Sequence, residues 1–164
     1  MALNSLKDIY IDQLQDLRSA NAQSIEATRT LADHASDPGL ETALKDGVDG
    51  IQRGIDTVDE ILKGHAADPK GEFCKGMEGL VKEIDAHVVD AEFGGDDVRD
   101  AMIVTQYQRM SHYGIAGYGC VVAFAKQLGL MEDATKLEKC LDGAYKGDRD
   151  MTEIATVGLN KAAA

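Results

Sequence analysis

Apolar and small residues recur every three or four positions along most of this 164-residue chain, a spacing that places them on one face of a helix. The first such segment runs from Leu3 to about Ser36, and the next keeps an almost strict seven-residue spacing from Leu40 to Leu62. Asp37 can cap the second segment, because Pro38 follows it at the first helical position. No run of alternating β-branched residues predicts a strand, so we expect an all-α protein.

The second half of the chain predicts two further long helices behind a shorter one. The shorter segment covers Met77 to Val89, the third long helix runs from Asp96 or Asp97 to Leu128, and the last extends to Gly158. Two helix pairs joined by such a connection form the layout of a ferritin-like four-helix bundle with an extra connecting helix between helix 2 and helix 3. A chain of this length closes around one core, so residues 1–164 are expected to form a single ferritin-like helical-bundle domain.

The charge balance narrows the range of partners. Lys and Arg number 17 against 29 Asp and Glu, which gives a formal charge of -12 and no basic stripe to neutralise phosphates. We therefore expect no nucleic acid and no membrane as partners. The longest apolar run, Cys120 to Ala125, is far short of the about 20 residues that span a bilayer. Three cysteines without CxxC spacing, and a start that is amphipathic rather than a secretory leader, favour a cytoplasmic location.

Four sequence blocks, taken in order, resemble a known family. They are LKDIYIDQLQDL at the start, KGMEGLVKE after Cys74, DDVRDAMIVTQYQRMSHYGIAGYG in the third long helix, and AKQLGL ahead of the acidic last helix. Over nearly its whole length the chain is similar to the YciE/YciF-like branch of the ferritin-like superfamily, small bacterial stress-associated proteins that form helical dimers. The resemblance implies the bundle fold, a role in stress response, and a homodimer or larger homo-oligomer.

The same resemblance implies a pair of iron or manganese ions, and here the chain departs from the family. The family usually carries glutamate or histidine where this chain has Asn21, Gly47, Gly50, Ser111 and Gly114. A di-metal centre in such a bundle needs about six carboxylate and imidazole ligands from four helices. We therefore predict a degenerate di-iron site with no metal and no cofactor. Iron or manganese at an altered site is the alternative.

Glycines inside the predicted helices leave two interpretations open. Eight of them, at 47, 50, 54, 114, 117, 119, 143 and 147, each cost about 0.5 to 1 kcal/mol relative to alanine, so an offsetting interaction is expected. Either the bare backbones let the helices pack more closely, or the vacated centre is a cavity for a small hydrophobic or flat organic ligand.

Polar residues expected at the same level would anchor such a ligand. The inward line of the third long helix is predicted to pass Thr105, Gln108, Ser111 and His112, and Asp148 on the last helix could pair with His112. These groups either form a hydrogen-bond network that fixes the helix register or bind the polar end of a ligand. The candidate ligand-binding residues are Asn21, Gly47, Gly50, Gln108, Ser111, His112, Gly114 and Asp148.

No catalytic motif is recognisable, because the chain has no Ser-His-Asp order, no phosphate-binding loop and no GxSxG elbow. We therefore favour a non-catalytic ligand-binding or structural module, with no catalytic residue. The alternative is a ferritin-like metal-binding oxidase, catalase-like or metal-storage protein that uses Glu78, Glu83, Glu138, Asp148 and His112 in an altered site.

Three further residues are assigned from their sequence neighbours alone. His65 follows polar residues and is expected to be solvated. Cys74 lies in a loop and is expected to be the most exposed cysteine, whereas Cys120 lies in an apolar run and is expected in the core.

Overall fold

Five helices account for most of the structure, a computed structural model that describes residues 3–164. The all-α prediction is confirmed, since no strand occurs within that range. The third and fifth helices each continue through a wider π-helical turn, at Asp85–Val89 and Ala155–Leu159, and a last helical turn covers Asn160–Ala162. The helices are α1 (Leu6–His34), α2 (Pro38–Gly64), α3 (Lys75–Ile84), α4 (Asp96–Gln127) and α5 (Met131–Ile154).

The four long helices form a bundle in which each lies beside two others. α1 packs on α2 and α4, α5 packs on α4 and α2, and the connecting helix α3 lies against α1 and α4. Neighbouring helices run antiparallel. Arg99 at the start of α4 donates to the carbonyl of His34 at the end of α1, and Lys136 early in α5 pairs with Glu60 late in α2. The prediction of a four-helix bundle with an extra connecting helix is confirmed.

Capping side chains set where the first two helices begin. Ser5 Oγ accepts the N–H of Asp8 at 3.1 Å, and Asp37 Oδ1 accepts the N–H of Leu40 at 2.8 Å. The predicted Asp37 cap, with Pro38 as the first helical residue, is confirmed.

The turn between α1 and α2 is tied to α4 by the carboxylate of Asp100, which is 1% exposed. Asp100 Oδ1 accepts the N–H of Ser36 at 2.9 Å, and Oδ2 accepts the N–H of Asp37 at 2.8 Å. The buried Asp100 carboxylate thus accepts hydrogen bonds from two backbone N–H groups of the turn, which have no partner within a helix.

The apolar core is divided into two clusters along the bundle axis. One lies where α2 and α4 begin and the other where they end. The first includes Leu31, Leu40, Leu44, Ile103 and Met151, and the second includes Tyr10, Leu14, Val58, Val121 and Leu137. Because each cluster closes its own end of the bundle, the layer between them is left to small and polar residues.

The buried face of α4 differs from the predicted one. Gly95 caps this helix, in place of the expected Asp96 or Asp97, and the expected inward residues Thr105 and His112 are exposed. The reason is that α4 packs against α1, α3 and α5 together, so its apolar residues do not form one dominant stripe. Its buried residues include Ile103, Val104, Tyr107, Met110, Tyr118, Val121 and Val122.

Within residues 3–164, no helix has the length and apolar character needed to cross a membrane.

Candidate functional site

A cavity of about 710 Å³ lies in the layer between the two core clusters. It is bounded by all four long helices and opens between α2 and α5. Its volume falls within the range of small-molecule sites, about 300 to 1,000 Å³. The wall on the α2 side includes Gly47, Gly50 and Gly54, and the wall on the α5 side includes Gly143, Ala144 and Gly147.

The glycines around the cavity are of two kinds. A Cβ on Gly47 would lie 2.7 Å from the hydroxyl of Tyr107, and one on Gly54 would overlap the hydroxyl of Tyr118. In contrast, a Cβ on Gly114 or Gly143 would meet no atom within 4 Å, and one on Gly50 only an arginine at ordinary contact distance. The first kind makes room for tyrosines from α4, and the second kind leaves space open.

Tyr118 is fixed at the centre of the bundle by two polar neighbours. Its oxygen accepts a hydrogen bond of 2.8 Å from Asn21 Nδ2, and its hydroxyl hydrogen-bonds the thiol of Cys140. Burial raises the pKa of the Tyr118 phenol, and Cys140 adds to that rise while the Asn21 hydrogen bond opposes it. Tyr118 therefore stays protonated at neutral pH and acts as a neutral polar group.

Tyr107 behaves in the same way at the other side of the cavity. Burial raises the pKa of its phenol, a hydrogen bond with Ser111 opposes the rise, and the charges of Asp148 and Asp150 add to it. The cavity thus presents neutral hydroxyl groups rather than phenolate anions.

Thr28 carries an unsatisfied polar atom within the wall of the cavity. The residue is 0% exposed, and its Oγ1 has no hydrogen-bond partner within the described part of the chain. A buried hydroxyl without a partner costs about 1 to 3 kcal/mol. Because Thr28 has no accessible surface, its hydroxyl lies inside the wall and does not face the cavity.

The mouth of the cavity carries charges of both signs. Arg53 and Lys139 line it without any ion-pair partner in residues 3–164, whereas Lys136 pairs with Glu60 and Glu132. The acidic residues of the lining are Asp46, Asp49 and Asp150.

Five of the eight candidate ligand-binding residues line this cavity: Asn21, Gly47, Gly50, Ser111 and Gly114. The other three, Gln108, His112 and Asp148, form a separate network beside it. Gln108 Nε2 donates to Asp148 Oδ1 at 3.0 Å, and His112 Nε2 lies 3.1 Å from the same oxygen. The predicted contact of His112 with Asp148 therefore exists, but the expectation that His112 projects into the core is wrong, because its side chain is 65% exposed.

The donors around the cavity do not fit the pair of metal ions that the sequence resemblance implies. Asn21, Ser24, Ser111 and two protonated tyrosines supply amide and hydroxyl groups, whereas iron and manganese in such bundles are held by carboxylates and imidazoles. Across residues 3–164, no three His, Cys, Asp or Glu side chains are grouped so that they could hold a metal ion.

The residues of the alternative metal site are spread over the surface. Glu78 pairs with Lys82, and Glu83 lies near His87 and Arg109. The remaining carboxylates make separate contacts, Glu138 with Lys126 and Asp148 with His112.

Sequence reasoning missed a cluster at the end of the bundle. His65 is not simply solvated: its Nε2 lies 2.7 Å from Asp133 Oδ2, and its Nδ1 lies 2.9 Å from Lys7 Nζ. Asp133 also accepts a hydrogen bond of 3.1 Å from the Tyr10 hydroxyl. These residues are far apart in sequence, and no local pattern connects them.

The assignments of Cys74 and Cys120 were also wrong. Cys74 is buried, with its Sγ 2.9 Å from the Tyr113 hydroxyl, and Cys120 is exposed. Cys74 Sγ caps α3 by accepting the N–H of Met77. Its position directly before the start of a helix, where small side chains often serve as caps, could have indicated this role.

Comparisons with known proteins identify relatives over the whole chain. The family described as Domain of unknown function (DUF892) matches residues 5–164. Protein YciF of Escherichia coli (strain K12) is 29% identical over 164 residues, which cover 99% of this chain and 98% of YciF.

Solved structures agree with these matches. The crystal structure of the E. coli stress protein YciF is similar with a TM-score of 0.89 and 28% identity, covering 97% of this chain and 99% of that chain. YcfI from Rhodopseudomonas palustris, a supposed structural protein, has a TM-score of 0.85 and 26% identity over 91% of this chain and 94% of that chain. The resemblance to YciF-like proteins is therefore confirmed.

Proposed function

The chain belongs to the DUF892 family, and from that premise we propose that it is a stress-associated protein whose central cavity binds a small, mostly apolar organic molecule without chemical change. The link to stress comes from its similarity to YciF, which is described as a stress protein. A homodimer and a cytoplasmic location are carried over as predictions from the same resemblance.

The observation that carries this proposal is a 710 Å³ cavity lined by glycines together with the hydroxyl-bearing residues Tyr107, Ser111 and Tyr118. The glycines leave room for an apolar body, and the hydroxyls can bind a polar group. Together they favour a molecule with an apolar body and at least one polar group.

Glycines of α2, α4 and α5 support the same proposal. Gly50, Gly114 and Gly143 face space that their missing side chains leave open, although alanine in their place would be more favourable in a helix by about 0.5 to 1 kcal/mol each. Close packing of the helices would offset that cost by backbone contact, but these three glycines have no such contact. Binding of a ligand would offset this cost.

The groups that face the cavity favour binding over catalysis. Burial raises the pKa of Tyr107, Tyr118 and Cys140, so these side chains stay protonated and weakly nucleophilic at neutral pH. The carboxylates of the lining, Asp46, Asp49 and Asp150, do not form a group that could hold a metal ion within residues 3–164.

The proposal is tested with N-phenyl-1-naphthylamine, an uncharged, flat, apolar probe whose fluorescence rises when it leaves water. We expect saturable binding to the native protein. Gly114→Met should weaken the binding at least about tenfold, since the new side chain grows into the cavity.

Gly119→Met is the matched control. Gly119 is on the same helix and also has open space at its Cβ, but it does not line the cavity, so affinity should stay within about twofold of the native value. Equal weakening by both substitutions, or no saturable binding to the native protein, would overturn the proposal.

A further inference from the structure

A lysine, an imidazole and a carboxylate form a chain at the end of the bundle away from α3. Lys7 comes from the first turn of α1, His65 follows the last turn of α2, and Asp133 is in the first turn of α5. Lys7 Nζ is 2.9 Å from His65 Nδ1, and His65 Nε2 is 2.7 Å from Asp133 Oδ2. Three helices thus contribute one group each to a continuous hydrogen-bond path.

The chemistry of the three groups fixes where the protons lie. An ionised carboxylate can only accept a hydrogen bond, so the His65 nitrogen beside Asp133 carries the hydrogen. The other ring nitrogen, Nδ1, then has a free lone pair that faces the Lys7 amine. His65 is therefore positioned to accept a proton from Lys7, with Asp133 holding the ring in the required tautomer.

The surroundings of the Lys7 amine act on its pKa in opposite directions. Partial burial lowers the pKa of its amine, and the charge of Asp133 opposes that effect. The Tyr10 ring, whose centroid is 5.0 Å from Lys7 Nζ, also stabilises the charged form, so it works with Asp133. Of burial and the Asp133 charge, burial has the larger effect and lowers the pKa of the Lys7 amine, while the side chain remains partly accessible to solvent.

We propose that Lys7 is a nucleophilic lysine that accepts acyl groups from thioesters, with His65 as its base and Asp133 as the positioning residue. His65 Nδ1 takes a proton from the ammonium, and the freed lone pair of Lys7 Nζ attacks the thioester carbonyl carbon. A C–N bond forms, the C–S bond breaks, and the departing thiolate receives the proton from His65. The attacking nitrogen then still carries two hydrogens, and it loses one of them to solvent as the neutral amide forms. The products are an amide on Lys7, a free thiol and one proton, and no electron transfer is needed.

Acylation would also change the bundle end itself. The amide nitrogen carries no charge and holds one hydrogen, so the ammonium that hydrogen-bonds His65 would be lost. This link joins the start of α1 to the end of α2, and its loss would loosen that corner.

The test uses S-acetyl-N-acetylcysteamine, a small uncharged thioester, with the full chain near neutral pH. Acetylation at each lysine is followed by peptide mass spectrometry. Lys63, which is exposed in the last turn of α2, is the internal control. Lys7 should react at least about tenfold faster than Lys63, because His65 takes up its proton. Burial lowers the pKa of the Lys7 amine, so the rate at Lys7 should level off at a lower pH than that of an ordinary lysine.

His65→Gln should bring the rate at Lys7 down to that at Lys63, and Asp133→Asn should lower it in part. The Lys63 rate and the helical circular dichroism of each variant show whether the fold is kept. Equal rates at Lys7 and Lys63 in the native protein, coincident pH profiles, or an unchanged ratio in folded His65→Gln would each overturn the proposal.

Discussion

The hydroxyl of Tyr118 occupies the space that a side chain on Gly54 would need. The same relationship occurs two turns earlier on α2, where the Tyr107 hydroxyl would lie 2.7 Å from a Cβ on Gly47. Two tyrosines of α4 therefore reach across the bundle and meet bare backbone on α2. The glycines are needed by these tyrosines, and the tyrosines in turn supply the neutral hydroxyls of the cavity wall.

Gly54→Ala should destabilise the protein by about 1 to 3 kcal/mol, because the new methyl group displaces the Tyr118 hydroxyl and strains its hydrogen bond with Asn21. Gly50→Ala, one turn away, should instead stabilise it by about 0.5 to 1 kcal/mol, since its Cβ meets no close atom. Urea unfolding of both variants gives the comparison. A Gly54→Ala protein as stable as Gly50→Ala would contradict the close fit.

The cause of the Gly54 effect can be isolated by removing the hydroxyl. In a Tyr118→Phe background the displaced oxygen is absent, so Gly54→Ala should cost less than it does in the native protein. Equal destabilisation by Gly54→Ala in both backgrounds would show that the Tyr118 hydroxyl is not the source of the strain.

Asp100→Ala should destabilise the protein by about 2 to 4 kcal/mol. The substitution leaves the N–H groups of Ser36 and Asp37 without their acceptors at the turn between α1 and α2. Thermal unfolding measures the loss, and Asp97→Ala, at an exposed position in the first turn of the same helix, is the control. A similar small effect for both would show that the turn does not depend on the buried carboxylate.

Much of the fold could be predicted because its causes are local. The seven-residue spacing of α2 and the Asp37-Pro38 pair act within a few residues, and each appears in the structure as expected. The buried face of α4 was harder to predict, because a helix in contact with three others has no single apolar stripe. Its rotation was therefore misjudged, and Thr105 and His112 were placed inside.

The candidate site was predictable in part for the same reason. Small residues at helical spacing indicated Gly47 and Gly50, which do line the cavity. Nothing in the sequence shows that the hydroxyls of Tyr107 and Tyr118 end against glycines of another helix. Contacts of this kind, like that of His65 with Asp133, depend on how distant helices meet.

Alkaline pH should unfold the protein through its buried tyrosines. Burial raises the pKa of Tyr10, Tyr107, Tyr113 and Tyr118 above the ordinary value of 10.0. The unfolded chain therefore loses these protons first, so their contribution to stability is complete below pH 10.0 and falls as the pH rises above it. Phenolate absorbance should rise together with the loss of helical circular dichroism. Ionisation of all the tyrosines with the helices intact would be inconsistent with their burial.

Thr28→Val should stabilise the ligand-free protein by about 1 kcal/mol or more. Valine has nearly the same shape, and it removes a buried hydroxyl that has no partner. Ser24→Ala is a useful comparison, because Ser24 Oγ donates to the Ala20 carbonyl at 2.9 Å and so has a bond to lose. Denaturant unfolding of both variants measures the difference. A marked loss of stability in Thr28→Val would mean that the hydroxyl is already satisfied in the free protein.

The most direct measurement of the central claim is a crystal structure of the protein as purified from its own source, with anomalous data collected for iron and manganese. We expect electron density for an organic molecule between α2 and α5, in the cavity lined by Tyr107 and Tyr118. Anomalous peaks bridged by carboxylates in the middle of the bundle, or α2 and α5 closed together with no cavity, would contradict the account.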